Sequence, residues 1–287
     1  MKPGALALDT LRYLVSLESH VYAFAIAANS LLSFFPFMVL VLSLAQNLLH
    51  FPAAADMIYI AVRDLLPEDP GLVDFVTRNL RAAVESRGRA EALSALTLAF
   101  SSNGVFMPLE VAFNRLWGFE SDRSYWRNQV MSLVLTFVCG LLALGTAVAT
   151  ASGTGWLSDA LAPLVTLPRS LTLLITRVVT LLLTIAIAAI VYVVLPNGTI
   201  ARRRTLRVAV LVGVALELAR AAYLLFWPHL GFRRIYGPFF VSITLLMGGY
   251  VAAMIVLAGG FVAARGLSGE PPRDGSHQAG RKVGSSS

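Results

Sequence analysis

Residues 171–195 read LTLLITRVVTLLLTIAIAAIVYVVL and carry a single charge, Arg177. A helix rises about 1.5 Å per residue, so about 20 such residues cross the hydrocarbon core of a bilayer. A helix that is apolar all round belongs in lipid or deep in a large core. Five more stretches have the same character: Val21–Leu49, Leu93–Trp117, Val130–Ala151, Leu206–Trp227 and Tyr236–Ala264. The fold class that follows is all-α, a polytopic membrane bundle of six transmembrane helices.

Composition leads to the same reading. Of 287 residues, 57% are apolar and 14% charged, and the mean hydropathy is +0.72. Soluble domains carry about 25% charged residues, because their surfaces face water. This excludes an ordinary cytosolic enzyme, a disordered chain and a secreted disulfide scaffold. The lone Cys139 has no partner for an internal disulfide. Twenty-three basic against 16 acidic residues give +7. In a soluble domain that charge points to nucleic acid. In a membrane protein it points to basic loops beside anionic headgroups, so membrane lipids and not nucleic acid are the expected partners.

Six spans put both termini on one side. Arg123 and Arg127 follow the second span and Arg202, Arg203, Arg204 and Arg207 the fourth, whereas Arg169 stands alone after the third. Lys2, Arg12, Arg265, Arg273, Arg281 and Lys282 lie at the ends. The excess of basic residues on the terminal side makes both termini cytoplasmic, although Arg233 and Arg234 count against it.

Residues 1–20 are expected to form a cytoplasmic N-terminal or interfacial helix. With Arg12 and Glu18 inside it, the segment is not a cleavable signal peptide. Leu6, Leu11, Leu14, Val15 and Leu17 share a broad face, which fits a helix on the membrane surface and a plain soluble helix equally. The membrane domain is expected over 21–267. Its external loop, 51–91, is too long to be structureless. There Leu72, Phe75, Val76, Leu80, Ala83 and Val84 recur at helical spacing, which predicts an amphipathic external helix between spans one and two. Such a helix would cap the bundle or rest on the outer leaflet. The Gly-, Ser- and Pro-rich tail, 268–287, reads as disordered and cytoplasmic.

Polar groups at bilayer depth cost about 2.5–3.5 kcal/mol when charged, so each needs a partner or a wet cavity. In the second span Asn103, Met107, Glu110 and Asn114 share a stripe, and Asn29, Ser33 and Pro36 belong to another in the first. In the fifth, Glu217 and Arg220 are three apart and can pair. Two readings stand side by side. One takes these groups as interhelical ties at about 0.6 kcal/mol each, the other as the walls of a polar cavity that receives headgroups or ions. The candidate substrate-binding set is Asn29, Asn103, Glu110, Asn114, Arg177, Glu217 and Arg220. Pro36 and Pro108 are expected to kink their helices, Pro238 to open the last one, and its Gly248, Gly249, Gly259 and Gly260 to allow close packing.

No HExxH, paired-Cys or clustered His spacing occurs, so no metal and no cofactor are expected. Neither a phosphate loop nor a Gly-x-Ser-x-Gly elbow is present. Asn197-Gly198-Thr199 is formally a glycosylation sequon, but after Pro196 it reads as a turn.

The run AFAIAANSLLSFFPFMVLVL (Ala23–Leu42) resembles the first-span signature of the YihY/BrkB family of bacterial inner-membrane proteins. FNRLWG (Phe113–Gly118) with YWR (Tyr125–Arg127), LPN (Leu195–Asn197) before Glu217, and YGPFF (Tyr236–Phe240) are similar to that family's later motifs. The resemblance spans about residues 10–265. It implies six spans with both termini inside. Family members often end the last span on a Gly-Ala-Glu type sequence, whereas this chain has Gly259-Gly260-Phe261 and lacks that carboxylate. Some members carry a ribonuclease BN label, which fits poorly here because neither clustered metal ligands nor a soluble acid/base pair is visible.

The expected function is therefore a non-enzymatic inner-membrane transporter or lipid-handling protein, exporting phospholipid toward the outer envelope with a periplasmic lipid-transfer partner. Export of a small solute or ion on the same carboxylates is the alternative, and a membrane-bound ribonuclease the third.

Overall fold

The computed structural model describes residues 3–48, 56, 58–59, 74, 77–78, 80–82, 89–119, 124–151, 169–198, 200, 202–226 and 235–265. Seven long helices account for most of them: α1 (Pro3–Val15), α2 (Leu17–Ser43), α3 (Arg89–Trp117), α4 (Tyr125–Ala151), α5 (Arg169–Val194), α6 (Arg202–Phe226) and α7 (Phe240–Arg265). A π turn, Leu44–Leu48, extends α2, and a 3-10 turn, Gly237–Phe239, leads into α7. No strand occurs among the described residues.

Five helices hold stretches long and apolar enough to cross a membrane: Leu17–Gln46, Ala92–Trp117, Trp126–Ala149, Ser170–Val194 and Ser242–Arg265. The sixth expected span, α6, is not among those five. Arg202–Arg204, Arg207, Glu217 and Arg220 make it the most polar of the set. Its 25 residues still run about 37 Å and pack between α5 and α7. The chain is thus an all-α polytopic membrane bundle, with α6 as its least apolar member.

The six helices α2 to α7 close into a ring in chain order, each packing on the next and α7 returning to α2. A further contact between α3 and α7 crosses the ring and separates the compact group α2–α3–α7 from a wider circuit, α3–α4–α5–α6–α7. Gly249 of α7 makes the α2–α7 approach close, since a Cβ there would stand 3.4 Å from the Ala27 backbone. Leu173, Leu174, Val178 and Leu182 leave apolar surface of α5 exposed, as a lipid-facing helix requires.

Arg115, Arg202–Arg204 and Arg265 mark one end of the bundle, here called the basic end. The buried core divides along the bundle axis. Toward the basic end, Ile26, Phe113, Leu135, Tyr192, Val212 and Leu257 bring together α2 to α7, with Leu195 just after α5. Toward the far end the core contains Phe37, Leu42, Leu98, Leu144 and Phe240, and no buried apolar residue of α5 or α6 joins it. Between the two cores α2 meets α3 through polar groups: Ser33 Oγ donates to Ser101 Oγ at 2.8 Å.

The N-terminal helix and the first span are divided at Ser16, earlier than the expected start of the span at Val21. The Ser16 backbone is extended (φ −66°, ψ 143°) and its Oγ accepts the Ser19 N–H at 3.4 Å. This N-cap ends α1 and starts α2 at once. On α1, Leu8, Leu11 and Val15 are exposed, whereas Tyr13 stacks on Phe261 of α7. Asp9 meets Arg265 at 3.1 Å, so α1 lies against the last turn of α7. The helices run on through Pro36 and Pro108, and Pro238 stands in the first turn before α7 as expected.

Most of the loop 51–91 lies outside the described residues, as does the tail 268–287. The described part of the loop includes Ile58, Tyr59 and Leu80, which are buried against the far-end core. Asp74 pairs with Arg78 at 3.6 Å on the exposed side.

Candidate functional site

Glu110 and Asn114 are one turn apart on α3, and Trp117 follows on the same face, so all three can meet one neighbour. That neighbour is the turn after α5. The helix stops at Val194, Leu195 and Pro196 are buried, and the Asn197 N–H donates to Asn114 Oδ1 at 2.9 Å. α3 ends alongside: Gly118 takes φ +69° and the Phe119 N–H returns to the Asn114 carbonyl at 2.8 Å. Gly198 lies on the Phe119 ring so closely that a Cβ would come within 2.5 Å of it. The LPNG turn is therefore seated on the end of α3 by backbone, side-chain and steric contacts together.

The polar groups gathered there are short of partners. Glu110 and Asn114 are each 3% exposed. Both Glu110 carboxylate oxygens, Asn114 Nδ2, Trp117 Nε1 and both side-chain amide atoms of Asn197 are buried without a hydrogen bond to any described residue. A buried polar group left so costs about 1–3 kcal/mol, and a charged one more. Native structures contain few such groups, and several in one place need a cause.

The apolar wall behind this cluster is tightly built. Phe113, fully buried, stacks on Tyr192 with centroids 5.2 Å apart and meets Trp117 edge-on. Tyr192 Oη donates to the Val256 carbonyl at 2.6 Å, tying α5 to α7. A Cβ at Gly260 would stand 2.5 Å from the Phe113 ring, and one at Gly259 would stand 2.2 Å from Tyr192 Oη. Those glycines thus admit the aromatic pair.

A second polar group sits on α5 and α6. Thr184 Oγ1 donates to Glu217 Oε1 at 2.8 Å, and Arg220 lies 3.8 Å from Glu217 Oε2. The pairing expected from their spacing is present. These side chains remain 32% (Arg220) and 20% (Glu217) exposed although they lie well inside a helix. Arg177 is exposed on α5, about two turns from the start of that helix.

The seven residues singled out from sequence thus fall into separate places. Glu110 and Asn114 share the buried cluster at the basic end. Glu217 and Arg220 pair on α6, with Arg177 nearby on α5. Asn29 is elsewhere: its Nδ2 donates to the Ala25 carbonyl at 2.9 Å, and its amide packs over Gly104 of α3. Asn103 lies on α3 beside Gly104, and its side chain is outside the description. The expected α3 stripe is not uniform either, because Met107 is exposed while Glu110 and Asn114 are buried. The boundary of the buried face runs along that stripe.

Three participants are not singled out by the sequence: Asn197, which reads as part of a turn, Trp117, which belongs to the FNRLWG stretch, and Thr184. Among the described residues, no three His, Cys, Asp or Glu side chains gather into a metal-binding group.

The model of the family described as virulence factor BrkB matches residues 14–279. This chain belongs to the BrkB family. No curated protein and no solved structure gives a significant match. The BrkB match runs from α1 through every helix of the ring, so the Phe113–Tyr192 wall, the LPNG turn and the Glu217–Arg220 pair all lie inside the family's extent. The position where the resemblance led us to expect a carboxylate is Phe261, whose ring stacks on Tyr13 and lies under the Arg265 guanidinium.

Proposed function

We propose that this BrkB-family chain is a non-enzymatic protein of the bacterial inner membrane that handles phospholipid headgroups and moves phospholipid toward the outer envelope. The observation that carries this reading is the uneven filling of the ring. Apolar side chains pack its interior toward the basic end, whereas at the far end α5 and α6 add no apolar side chain to the buried core and α5 buries threonines instead, Thr172, Thr176 and Thr180. From the middle of the bundle toward that end they carry Thr184, Glu217, Arg220 and Arg177, exposed or half-exposed. Thr184 faces Glu217, so in the antiparallel pair Arg220 is level with about residue 181, and Arg177 lies about one turn beyond it. Two arginines and one carboxylate leave a net positive charge, suited to a phosphate. Exposed arginine inside a span is costly unless an anion or water meets it.

The placement proposed with it has both termini and the basic end in the cytoplasm, after the positive-inside rule. α1 would then lie along the cytoplasmic face with Leu8, Leu11 and Val15 toward lipid. The polar half of the ring would face the periplasm, where a periplasmic lipid-transfer protein would receive the cargo.

The test is depletion of the protein together with all its paralogues, followed by separation of inner and outer membranes. Phospholipid should accumulate in the inner membrane, and a chain with Arg177→Gln and Arg220→Gln should insert normally without restoring the distribution. An unchanged lipid distribution overturns the proposal. The unpartnered Glu110 favours a second reading, export of a small solute or ion. Flux into proteoliposomes that follows a pH gradient, with no change in lipid distribution, would select it. RNA cleavage by the purified chain that is lost on Glu110→Ala would instead restore the ribonuclease reading.

A further inference from the structure

We propose that Glu110 and Asn197, with Asn114 positioning the turn, hold one monovalent alkali cation, sodium or potassium, between the ends of α3 and α5. The inference goes beyond the lipid reading and does not depend on what the protein moves. It starts from the unmatched atoms. Glu110 offers two carboxylate oxygens and Asn197 one amide oxygen, all buried and without a hydrogen bond to any described residue. The oxygen of Asn114 is fixed toward the Asn197 N–H, which holds the turn in place beside the carboxylate.

The surroundings favour a cation over a second anion. α3 finishes at Trp117 and α5 at Val194, so two helix C-termini, the negative ends of their dipoles, meet at the LPNG turn. Broken or ending helices with free carbonyls, near a buried carboxylate, are the usual protein environment for sodium inside membranes. The nearest basic side chain on α3, Arg115, is engaged elsewhere: it lies 2.5 Å from Glu18 of α2. Of the arginines that open α6, Arg202 and Arg203 are exposed and Arg204 is half-buried.

The charge count selects a single positive charge. One carboxylate is neutralised by one monovalent ion, and calcium sites draw on several carboxylates. Among the described residues no group of three or more acidic, His or Cys side chains exists to hold a divalent metal. The remaining unmatched donors, Asn114 Nδ2 and Trp117 Nε1, would bond to water oxygens that complete the ion's shell.

Thermal unfolding of the purified full-length chain in detergent micelles tests this, with sodium chloride, potassium chloride and choline chloride compared at equal ionic strength. The midpoint should rise saturably with sodium or potassium and not with choline, because an ion that binds only the folded state stabilises it. Glu110→Gln should abolish the difference between salts. Asn197→Ala should raise the half-saturating ion concentration about tenfold, as loss of a site-orienting group does. Indole fluorescence should change over the same concentration range and lose that change in Trp117→Phe. Equal midpoints in all three salts overturn the proposal, as does an ion-specific rise that survives Glu110→Gln. A wild type indifferent to salt with a Glu110→Gln variant more stable in every salt also overturns it, since the carboxyl would then be neutralised by a proton. Should Glu110→Gln fail to fold, Glu110→Asp and Asn197→Ala decide: both must shift the half-saturating concentration, and an unshifted value rejects the site.

Discussion

Two polar clusters in this molecule use similar residue types and end in opposite states. At the basic end a carboxylate and two amides are buried by aromatic packing and have few partners. On α5 and α6 a carboxylate is met by a hydroxyl and a guanidinium, and all remain partly exposed. The first is held in place from outside, by Phe113, Tyr192 and the seated turn. The second holds itself together. Packing alone can therefore carry polar groups to a depth that their own bonds would not justify, whereas a self-satisfied group needs no such wall.

The largest effect should come from removing the wall. Phe113→Ala empties a fully buried ring site and should lower stability by about 3–5 kcal/mol, read as the denaturant midpoint in micelles. Gly260→Val, whose Cβ would collide with the same ring, should lose about 1–3 kcal/mol or more. A small loss in both would mean that the aromatic wall does not hold the basic end. Next is Asn114→Ala, which strips the Asn197 N–H of its acceptor and should cost about 1–3 kcal/mol. Limited proteolysis within the LPNG turn should rise with it. Smaller still is the α6 pair: Arg220→Ala should change stability by less than about 1 kcal/mol, as for partly exposed ion pairs. Thr184→Val should cost about 0.6 kcal/mol, an ordinary interhelical contact. A loss as large as that of Phe113→Ala at either position would erase the contrast between the two clusters.

The smallest effect belongs to α1. Burial against α7 pushes the Tyr13 phenol above the usual tyrosine range, with the nearby Glu18 carboxylate adding to the shift and Ser19 and Arg115 opposing it. The folded state thus holds that proton more tightly than the unfolded chain. Its contribution is fully present below about pH 10 and is lost as pH rises beyond it. After correction for the base catalysis of exchange itself, protection of the α1 amides should fall in that alkaline window in the wild type, and this fall should be absent in Tyr13→Phe.

The helices were legible because lipid demands long apolar runs, and that demand is written residue by residue. The Glu217–Arg220 pair was legible for the same local reason, a spacing of three on one helix. The buried cluster was only half legible. Glu110 and Asn114 are neighbours along α3, but Asn197 reaches them from 83 positions away, and no periodicity links a turn to a helix it docks on. Glu110 and the Glu217–Arg220 pair, both candidate walls of one polar cavity, differ in register. Glu110 lies about 10 Å from the end of α3 and Glu217 about 22 Å from the start of α6, at the same end of the bundle. Such depths emerge only when the helices are aligned. The reading of Ser16 also needed structure, since a cap is a hydrogen bond and not a composition.

The ion pair between Asp9 and Arg265 joins positions 256 apart in the chain. During biogenesis the first helix leaves the ribosome long before its docking site exists, and it must wait until the last span has entered the bilayer. Until then Tyr13 has no Phe261 to stack on, and the α1 face it occupies stays open to chaperones or to the membrane surface. Docking of α1 is therefore a late checkpoint of synthesis, reached only by chains translated past Arg265.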